Sequence, residues 1–375
     1  MGVFLLTLLL LSYAGLMIWY RRGWDQTPVF KPGNSFVPQT RIAVIIPARN
    51  EEDVIGECLK SLLAQDYPKD LLQIIVVDDH SDDNTSAIAE SLGVRVLRMA
   101  DFPLPEGQAF KKYALQKGIE AATSADLIVT TDADCTAGPQ WIRTIAAFYQ
   151  KESPAAIVAP VRFNPTGDWL DVFQTLDFAT MQGITAAVNT LGIGTMANGA
   201  NLAFSKKAFE AVGGYKGTTH LATGDDYLLV HKLQTAFPGK VGYLKAREAF
   251  VATAPQPDML SFFQQRIRWA SKSGKYKDKW LTAQLALVYA VNLALLIAFF
   301  AAFTPALYWG SFLFFLVIKV AAEYYFLEPV LRYYRLSHLA LYFLLLQPLH
   351  MLYIVLAGFL GFVGKYEWKA RTIGA

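Results

Sequence analysis

Two aspartates, Asp132 and Asp134, follow a short apolar run with one residue between them and are well placed to bind a metal ion. Side chains at positions i and i+2 of an extended strand point to the same side, so this spacing predicts that both carboxylates face one site. Carboxylate oxygens suit Mg²⁺ or Mn²⁺, which usually keep waters and substrate phosphates as further ligands. The predicted partner is therefore a nucleotide diphosphate. The alternative is a strand that ends in two solvated aspartates.

The composition indicates a chain that lies partly in lipid. Of its 375 residues, 54% are hydrophobic and 14% aromatic, whereas soluble domains are about 45–50% apolar. The net charge of +3 is too small to indicate nucleic-acid binding. Basic residues lie instead beside apolar segments, at 21–22 and 272–279, as suits an anionic membrane surface. With only Cys58 and Cys135 present, no disulfide framework is expected, and a reducing cytosol is compatible with the sequence.

Apolar segments at both ends are long enough to cross a bilayer. The first, 2–20, precedes Arg21 and Arg22, which by the positive-inside rule place its C-terminal end in the cytoplasm. The alternative is a cleaved signal peptide. The segment lacks a basic N-terminal region and a cleavage site, which argues against this alternative. The C-terminal segments are 280–303, 306–327 and 336–363.

The charges near the C-terminal segments conflict with three full spans. Such a count would place Lys365, Lys369 and Arg371 outside, against the positive-inside rule, so one segment is expected to be interfacial or re-entrant. The last segment is interrupted at 347–348. Lys319 and Glu323, one helical turn apart, are predicted to pair or to reach towards the interface.

Between these segments, the pattern from about residue 41 is that of an α/β domain with a mostly parallel sheet. The predicted strands are 42–46, 72–77, 94–97 and 127–131, and the predicted helices are 51–63, 83–92 and 111–122. In open α/β sheets, ligands bind beyond the carboxyl ends of the strands. Three of these strands end in polar clusters, which are therefore predicted to share one crevice.

Two amphipathic helices are predicted further along the chain. Residues 168–191 combine an apolar stripe with a polar face, which fits core packing or a helix on the membrane surface. The second helix begins at Asp258, which has the residue type of an N-cap. Its Gln265, Arg268 and Trp269 stand at i, i+3 and i+4 and share one face. A basic helix that only anchors to lipid is the alternative.

Six short motifs, in their order, resemble those of membrane-bound glycosyltransferase family 2. They are Pro47-Ala48-Arg49-Asn50-Glu51, Val76-Val77-Asp78-Asp79-His80-Ser81, Thr131-Asp132-Ala133-Asp134, Asn198-Gly199-Ala200-Asn201-Leu202-Ala203-Phe204, Gly224-Asp225-Asp226 and Gln265-Arg266-Ile267-Arg268-Trp269. The joint occurrence of DxD, an acidic pair and QxxRW is far more specific than any one of them. The resemblance implies a GT-A-like nucleotide-diphospho-sugar transferase domain at 40–275, flanked by a transmembrane helix at 1–22, a region of two to three spans at 280–363 and a basic tail at 364–375.

The resemblance also implies a role for each motif on the donor side. Asp78 and Asp79 would contact the base and ribose, with a turn held by aspartates as the alternative. Lys111 would face the diphosphate, although Phe110 replaces the glycine that usually precedes this lysine and Lys112 could take its place. Asp132 and Asp134 would hold Mg²⁺ or Mn²⁺. The complete donor site implied comprises Pro47, Arg49, Asn50, Glu51, Asp78, Asp79, Lys111, Asp132, Asn201, Gln265 and Arg268.

On the acceptor side, the resemblance implies that Asp226, with Asp225 beside it, is the general base that deprotonates the attacking hydroxyl. Two carboxylates that merely cap a helix are the alternative. Gln265 and Arg268 would close over the diphosphate, and the Trp269 indole would form a stacking platform for the acceptor.

The sequence thus predicts an inverting, metal-dependent transfer of a sugar from a nucleotide diphosphate, with UDP-sugars favoured. The acceptor is expected to be a hydroxyl of a membrane lipid or lipid-linked glycan, and the enzyme an integral protein of the inner or plasma membrane with a cytoplasmic catalytic domain. A processive polysaccharide synthase of the hyaluronan or cellulose type is the alternative. From other classes, a non-catalytic membrane scaffold and a transporter remain open.

Overall fold

The computed structural model of the chain describes residues 2–33, 35–105, 109–164, 167–221, 224–271, 278–304, 308–363, 366–368 and 371–373, with side chains up to 361. Residues 272–277 of the basic stretch, and Lys365 and Lys369 of the predicted tail, lie outside these ranges. Contacts divide the chain into two compact units. The sheet unit comprises Thr27–Asn164 and Thr195–Ala254, and the helical unit comprises Met1–Gln26, Pro165–Gly194 and Pro255–Ala375.

Helices and strands alternate through the centre of the chain, and long helices lie at both ends. The helices are α1 (Gly2–Gln26), α2 (Ile55–Leu63), α3 (Thr85–Ser91), α4 (Phe110–Ala121), α5 (Trp141–Glu152), α6 (Trp169–Leu191), α7 (Lys206–Ala211), α8 (Asp225–Ala236), α9 (Met259–Ala270), α10 (Lys279–Ala301), α11 (Trp309–Tyr334), α12 (Ala340–Leu345) and α13 (Gln347–Val363). The strands are β1 (Ile42–Ala48), β2 (Leu72–Asp78), β3 (Arg95–Arg98), β4 (Leu127–Thr130), β5 (Thr136–Ala137), β6 (Ala156–Val158), β7 (Val161–Phe163), β8 (Leu202–Ser205), β9 (Val241–Tyr243), β10 (Val251–Thr253), β11 (Tyr366–Trp368) and β12 (Arg371–Ile373).

The sheet unit is built on a seven-stranded sheet in the order β3-β2-β1-β4-β8-β6-β9. Strand β1 pairs in parallel with both β2 and β4, whereas β8 runs antiparallel to both of its neighbours. The side chains of 42–46 are buried throughout, which explains why β1 reads as a continuous apolar run rather than an alternating one. The predicted α/β class with a mostly parallel sheet is confirmed.

Several element boundaries differ from the predicted ones. Strand β1 continues through Pro47, which lies opposite Val77, because proline's φ is compatible with extended backbone. Helix α2 begins at Ile55 rather than at residue 51, since residues 51–54 form a turn in which the Ile55 N–H donates to the Glu51 carbonyl. Strand β4 ends at Thr130, so the two aspartates that follow lie beyond the strand.

In the helical unit, α1 packs against α6, α10 and α11. A Cβ on Gly23 would lie 2.8 Å from the carbonyl oxygen of Ala187, so the close approach of α1 to α6 requires glycine. Most of the polar face of α6 is buried, including Asp171, Gln174, Thr175, Gln182 and Thr185, whereas Asp168 and Trp169 at its start are exposed. This burial favours core packing over a helix that lies on the membrane surface.

Among the described residues, three helices have the length and composition of membrane spans: α1, α10 and α11. Residues Ser337–Leu345 and Gln347–Gly361 would together make a fourth, but they are bent by 72° at the break between them, as in a broken span or a re-entrant loop. The bend lies at the predicted interruption. Lys319 and Glu323 are buried and paired at 3.0 Å, and the Lys319 ammonium also donates to Gln347 at 2.6 Å.

Candidate active site

A cavity that is partly open to solvent lies in the sheet unit and brings together residues that are far apart in the sequence. Its charged lining consists of Lys111, Asp132, Asp225 and Asp226, and Pro47, Leu115, Thr130, Thr131, Gly199, Leu202 and Tyr215 complete it. Pro47 and Asp132 lie at the carboxyl ends of the neighbouring strands β1 and β4, which is where ligands bind in open α/β sheets. Five of the predicted site residues therefore share one cavity.

Lys111 is the cation of this cavity. Its ammonium lies 3.2 Å from a carboxylate oxygen of Asp132 and 3.7 Å from one of Asp225. Burial alone would lower the pKa of Lys111, but the charges of Asp132, Asp225 and Asp226 outweigh it and raise that pKa above its usual value. Lys112, the alternative, is fully buried and donates to the Thr218 carbonyl at 2.9 Å. Position 111 therefore supplies the charge to the cavity.

Helix α8 presents its first-turn acids to the same cavity. It begins after Gly224, whose φ of 76° lies in the left-handed region that glycine adopts without strain. One carboxylate oxygen of Asp226 accepts from the Gly199 N–H at 3.3 Å, and the other accepts from the Tyr227 N–H at 2.7 Å. These bonds orient the carboxylate. An oriented carboxylate beside a cavity is suited to accept a proton.

The two aspartates of the DxD lie in a turn after β4, so the argument from alternating strand side chains is wrong for them. Asp132 reaches the cavity, whereas Asp134 accepts from the Thr253 hydroxyl at 3.3 Å. Although Asp134 keeps an exposed face, desolvation raises its pKa and the neighbouring charge of Asp132 raises it further. The two carboxylates therefore repel each other, and a bound cation would relieve that repulsion.

The donor groups near this turn fit Mg²⁺ or Mn²⁺. The cavity lining carries three carboxylates and one ammonium, an imbalance of two negative charges that a divalent cation would neutralise. Burial and the charge of Asp134 raise the pKa of the nearby Cys58 thiol to about 12, so this thiol is protonated at neutral pH in the metal-free protein. No group of three or more metal-ligating side chains occurs among the described residues. Further ligands would therefore have to come from substrate and water.

The polar loops after β1 and β2 are joined to each other by hydrogen bonds. The Asn50 side-chain oxygen accepts from the Asp82 N–H at 2.9 Å, and the Glu51 N–H donates to the Thr85 hydroxyl at 2.8 Å. Asp78 accepts from Ser81 and Ser86, an arrangement typical of a turn held by an aspartate. The predicted shared edge of β1 and β2 is therefore present, but the loop residues Arg49, Asn50, Glu51, Asp78 and Asp79 are not among those that line the cavity.

Asn201 lies in the core of the sheet unit rather than in the cavity. Its side chain is fully buried, its amide nitrogen donates to the carbonyls of Pro160 and Ala249, and its oxygen accepts from the Trp141 indole at 3.0 Å. Both amide hydrogens are engaged in these bonds and Asn201 is not among the residues that line the cavity, so the structure does not bring this side chain to the predicted donor site. Gly199 of the same motif is the residue that reaches the cavity.

Replacing Asn201 with alanine is expected to lower the free energy of unfolding by about 2–4 kcal/mol, because two buried carbonyls and a buried indole N–H lose their partner. Thermal or denaturant unfolding of the purified protein measures this loss. Asn198→Ala is the matched control, since the Asn198 side chain accepts a single bond from Ala200 in a partly exposed position and should cost about 1 kcal/mol. Equal losses in the two variants would contradict the structural role of Asn201.

The QxxRW segment lies on α9 of the helical unit, and the predicted N-cap is confirmed: Asp258 accepts from the Ser261 N–H at 2.9 Å. Gln265, Arg268 and Trp269 are each partly buried. Arg266, between them in the sequence, is the most buried arginine of the segment and pairs with Asp177 of α6 at 2.9 Å.

Sequence reasoning missed Tyr215, Arg266 and Asp177. Tyr215 lines the cavity, and burial together with the charges of Asp225 and Asp226 raises the pKa of its hydroxyl. Tyr215 follows two glycines and belongs to none of the six motifs, so no pattern in the sequence indicated it. Asp177 is an acid within a mostly apolar helix. Since buried acids are usually paired, this pattern could have predicted that Asp177 has a basic partner.

Comparisons with known proteins agree with the predicted family and fold. Residues 43–213 match the family model described as Glycosyl transferase family 2. A mannosyltransferase from Pyrobaculum calidifontis shares the fold with a TM-score of 0.61 over 96% of this chain and 97% of its own, at 18% sequence identity.

Two curated relatives are similar in sequence. The beta-monoglucosyldiacylglycerol synthase of Synechocystis is 26% identical over 267 residues, which are 68% of this chain and 53% of that protein. The 4,4'-diaponeurosporenoate glycosyltransferase of Staphylococcus aureus is 29% identical over 190 residues, 49% of each. The chain thus spans about half the length of these curated relatives.

Proposed function

Since residues 43–213 of this chain form a glycosyl transferase family 2 domain with a GT-A-like fold, we propose that the protein transfers a sugar from a nucleotide diphosphate to a hydroxyl of a membrane lipid or lipid-linked glycan. The observation that carries the proposal is the cavity in which Lys111 lies between Asp132 and Asp225, with Asp226 beside them. This cavity combines a cation, metal-suited carboxylates and an oriented carboxylate base.

Asp226 and Lys111 of the cavity each have one task in the proposed reaction. Asp226 takes the proton of the acceptor hydroxyl while that oxygen attacks the anomeric carbon. The bond from the anomeric carbon to the diphosphate oxygen breaks, and the nucleotide diphosphate leaves with the bonding electrons. Lys111 holds the diphosphate as a point charge. Because the acceptor attacks opposite to the leaving group in a single displacement, the product has inverted anomeric configuration.

Asp132 and Asp134 are the residues that would hold Mg²⁺ or Mn²⁺, with the diphosphate supplying further ligands. A divalent ion there would neutralise charge on the leaving diphosphate. The mannosyltransferase that shares this fold was solved with GDP-mannose and Mn²⁺, which are the donor class and the metal class proposed for this chain.

A lipid acceptor is supported by the apolar helices and by the relatives. Three described helices have the length and composition of spans, and the two curated relatives are named for glucosyldiacylglycerol and diaponeurosporenoate. Arg21 and Arg22, near the C-terminal end of α1, support a membrane location with the catalytic domain on the cytoplasmic side. The Trp269 indole is the proposed acceptor platform, and Gln265 and Arg268 are proposed to close over the diphosphate.

The deciding experiment incubates membranes that contain the protein with a panel of labelled nucleotide sugars, with and without Mn²⁺ or Mg²⁺, and analyses the lipid extract. A single sugar on a lipid supports the proposal. A long polymer on a gel instead supports the processive polysaccharide synthase, which the Gln265-to-Trp269 segment also fits. The absence of any metal-dependent transfer, including hydrolysis of the donor, would contradict both and leave a non-catalytic protein on this fold.

Lys111→Met is expected to raise the KM for the donor by about 10- to 100-fold, because the diphosphate loses a charge-assisted contact. Lys112→Met is the matched control: it removes the neighbouring ammonium, which bonds the Thr218 carbonyl outside the cavity. That control should lower the melting temperature but leave the donor KM within about twofold. Steady-state kinetics and thermal unfolding of both variants separate the two roles, and an unchanged donor KM in Lys111→Met would contradict the assignment.

A further inference from the structure

The segment from Gln265 to Trp269 contains a second arginine, Arg266, to which the proposed reaction gives no task. Its side chain is 1% exposed. Arginine is almost never buried to this extent unless it is paired or bound. The burial of Arg266 must therefore be explained by the groups that its side chain contacts.

Arg266 lies against two aromatic rings of its own helix. Its guanidinium carbon is 4.1 Å from the centre of the Trp269 ring and 5.0 Å from the centre of the Phe262 ring. Phe262, Arg266 and Trp269 are spaced by four and three residues, so they share one face of α9. The guanidinium thus covers one face of the indole that is proposed to stack on the acceptor.

A carboxylate from another helix of the same unit holds the guanidinium in this place. Asp177 of α6 lies 2.9 Å from a terminal nitrogen of Arg266. From α13, His350 Nε2 lies 4.0 Å from the other carboxylate oxygen of Asp177, and Tyr353 lies close enough for the charge of Asp177 to act on its hydroxyl. Asp177 is therefore enclosed by α9 and α13 inside the helical unit, where it attracts the guanidinium of Arg266.

Stability is a weak reason for such a pair. Burying two charges costs desolvation that their attraction barely repays, and apolar replacements of buried ion pairs are often neutral or stabilising. Within the described part of the chain, all three guanidinium nitrogens of Arg266 and the Oδ2 atom of Asp177 have no hydrogen-bond partner, so the 2.9 Å contact is an ion pair without hydrogen-bond geometry. What the pair does provide is position, because the charge of Asp177 attracts the guanidinium that lies against Trp269.

We propose that Arg266, held by Asp177, is a positioning residue that sets the orientation of the Trp269 ring and thereby the affinity for the acceptor. The proposal rests on the proposed function in one respect, the role of Trp269 as acceptor platform. It makes acceptor binding depend on Asp177, although Asp177 is not among the residues that line the catalytic cavity.

The first test observes Trp269 itself and needs no turnover. The full-length protein is labelled with 5-fluorotryptophan, and the signal of Trp269 among the eight tryptophans is assigned as the one that Trp269→Phe removes. The variants are Arg266→Gln and the double variant Asp177→Leu with Arg266→Met, which removes both charges and avoids leaving one of them buried alone. The ¹⁹F signal of Trp269 is expected to shift in both variants. The other tryptophan signals report whether the fold is retained.

The second test measures kinetics with diacylglycerol in phosphatidylcholine vesicles as acceptor and UDP-glucose as donor. In the double variant, the KM for the acceptor is expected to rise about tenfold while the KM for the donor stays within about twofold. Arg266→Lys keeps a cation against Asp177 and Trp269, so it should recover most of the acceptor affinity. Arg332→Gln is the matched control, because Arg332 is an exposed arginine of the same unit that pairs with Glu328 on the surface.

An unshifted Trp269 signal in the folded double variant would overturn the proposal, and so would an equal rise of both KM values. If the wild-type protein transfers no sugar to any acceptor, the proposed function fails instead. The fluorine spectra still decide in that case whether Arg266 and Asp177 control the surroundings of the Trp269 ring.

Discussion

Replacing Asp226 with asparagine is expected to lower the rate of sugar transfer by about 1,000-fold, in the range found for loss of a general base. An amide at this position cannot take the proton of the acceptor hydroxyl. Donor binding should survive, because the diphosphate is assigned to Lys111 and the metal-suited aspartates rather than to Asp226. The rate is measured with labelled donor and acceptor in vesicles, and donor affinity by isothermal titration calorimetry.

The structure supplies a matched control for this substitution. Asp168 is also an aspartate at a helix N-terminus, where it accepts from the Trp169 N–H at 2.7 Å, but it lies in the helical unit and does not line the cavity. Asparagine caps helices as well as aspartate, so Asp168→Asn should leave transfer within about twofold. More than a tenth of the wild-type rate in Asp226→Asn would refute its assignment as the base.

The neighbouring acid is expected to respond differently. Asp225 lies 3.7 Å from the Lys111 ammonium, so Asp225→Asn should mainly raise the donor KM through a displaced lysine. A fall in the turnover rate as large as that of Asp226→Asn, with donor KM unchanged, would move the role of base to Asp225. The two variants together therefore decide between adjacent carboxylates.

Removing the DxD carboxylates is the second substitution with a large expected effect. Asp132→Asn and Asp134→Asn should each lower metal-dependent transfer on the order of 100-fold, because the leaving diphosphate loses the stabilisation that a cation gives it. EDTA should do the same to the wild-type enzyme, and Mn²⁺ should restore it. Asp70→Asn, at an exposed position outside the cavity, is the control and should keep the wild-type response.

Thermal unfolding gives a readout of this site that does not need activity. Mn²⁺ should raise the melting temperature of the wild-type protein and of Asp70→Asn, but not that of the DxD variants, because only a bound ion stabilises the folded state. Burial and Asp132 raise the pKa of Asp134 in the fold, so its ionised form costs stability at neutral pH. Without metal, Asp134→Asn should therefore melt at or above the melting temperature of the wild-type protein. A clearly lower melting temperature would contradict the repulsion between the Asp132 and Asp134 carboxylates.

Much of the architecture was predictable because it depends on local patterns. Continuous apolar runs marked β1, β2 and β4 as buried parallel strands, and Asp258 marked the start of α9. The carboxyl ends of parallel strands lie at the same edge of the sheet, independently of the loops that follow them. One cavity at this edge is lined by Pro47, Lys111, Asp132, Asp225 and Asp226. The turn that carries Asp132 and Asp134 was mistaken for strand, since an apolar run does not mark the residue at which pairing ends.

The sequence by itself determined the order of the elements, the six short motifs and the apolar helices, because each depends on neighbouring residues. Tertiary structure alone decided which polar side chains face the cavity and which are used inside the fold. Lys112 bonds a carbonyl 106 residues away, and Asn201 accepts from an indole 60 residues away. A buried polar group must find a partner, and for these residues, as for Arg266 with Asp177, the partner is brought close only by the folded chain. Lys111 and Lys112 are the same residue type side by side, so their separate roles depend on that folding.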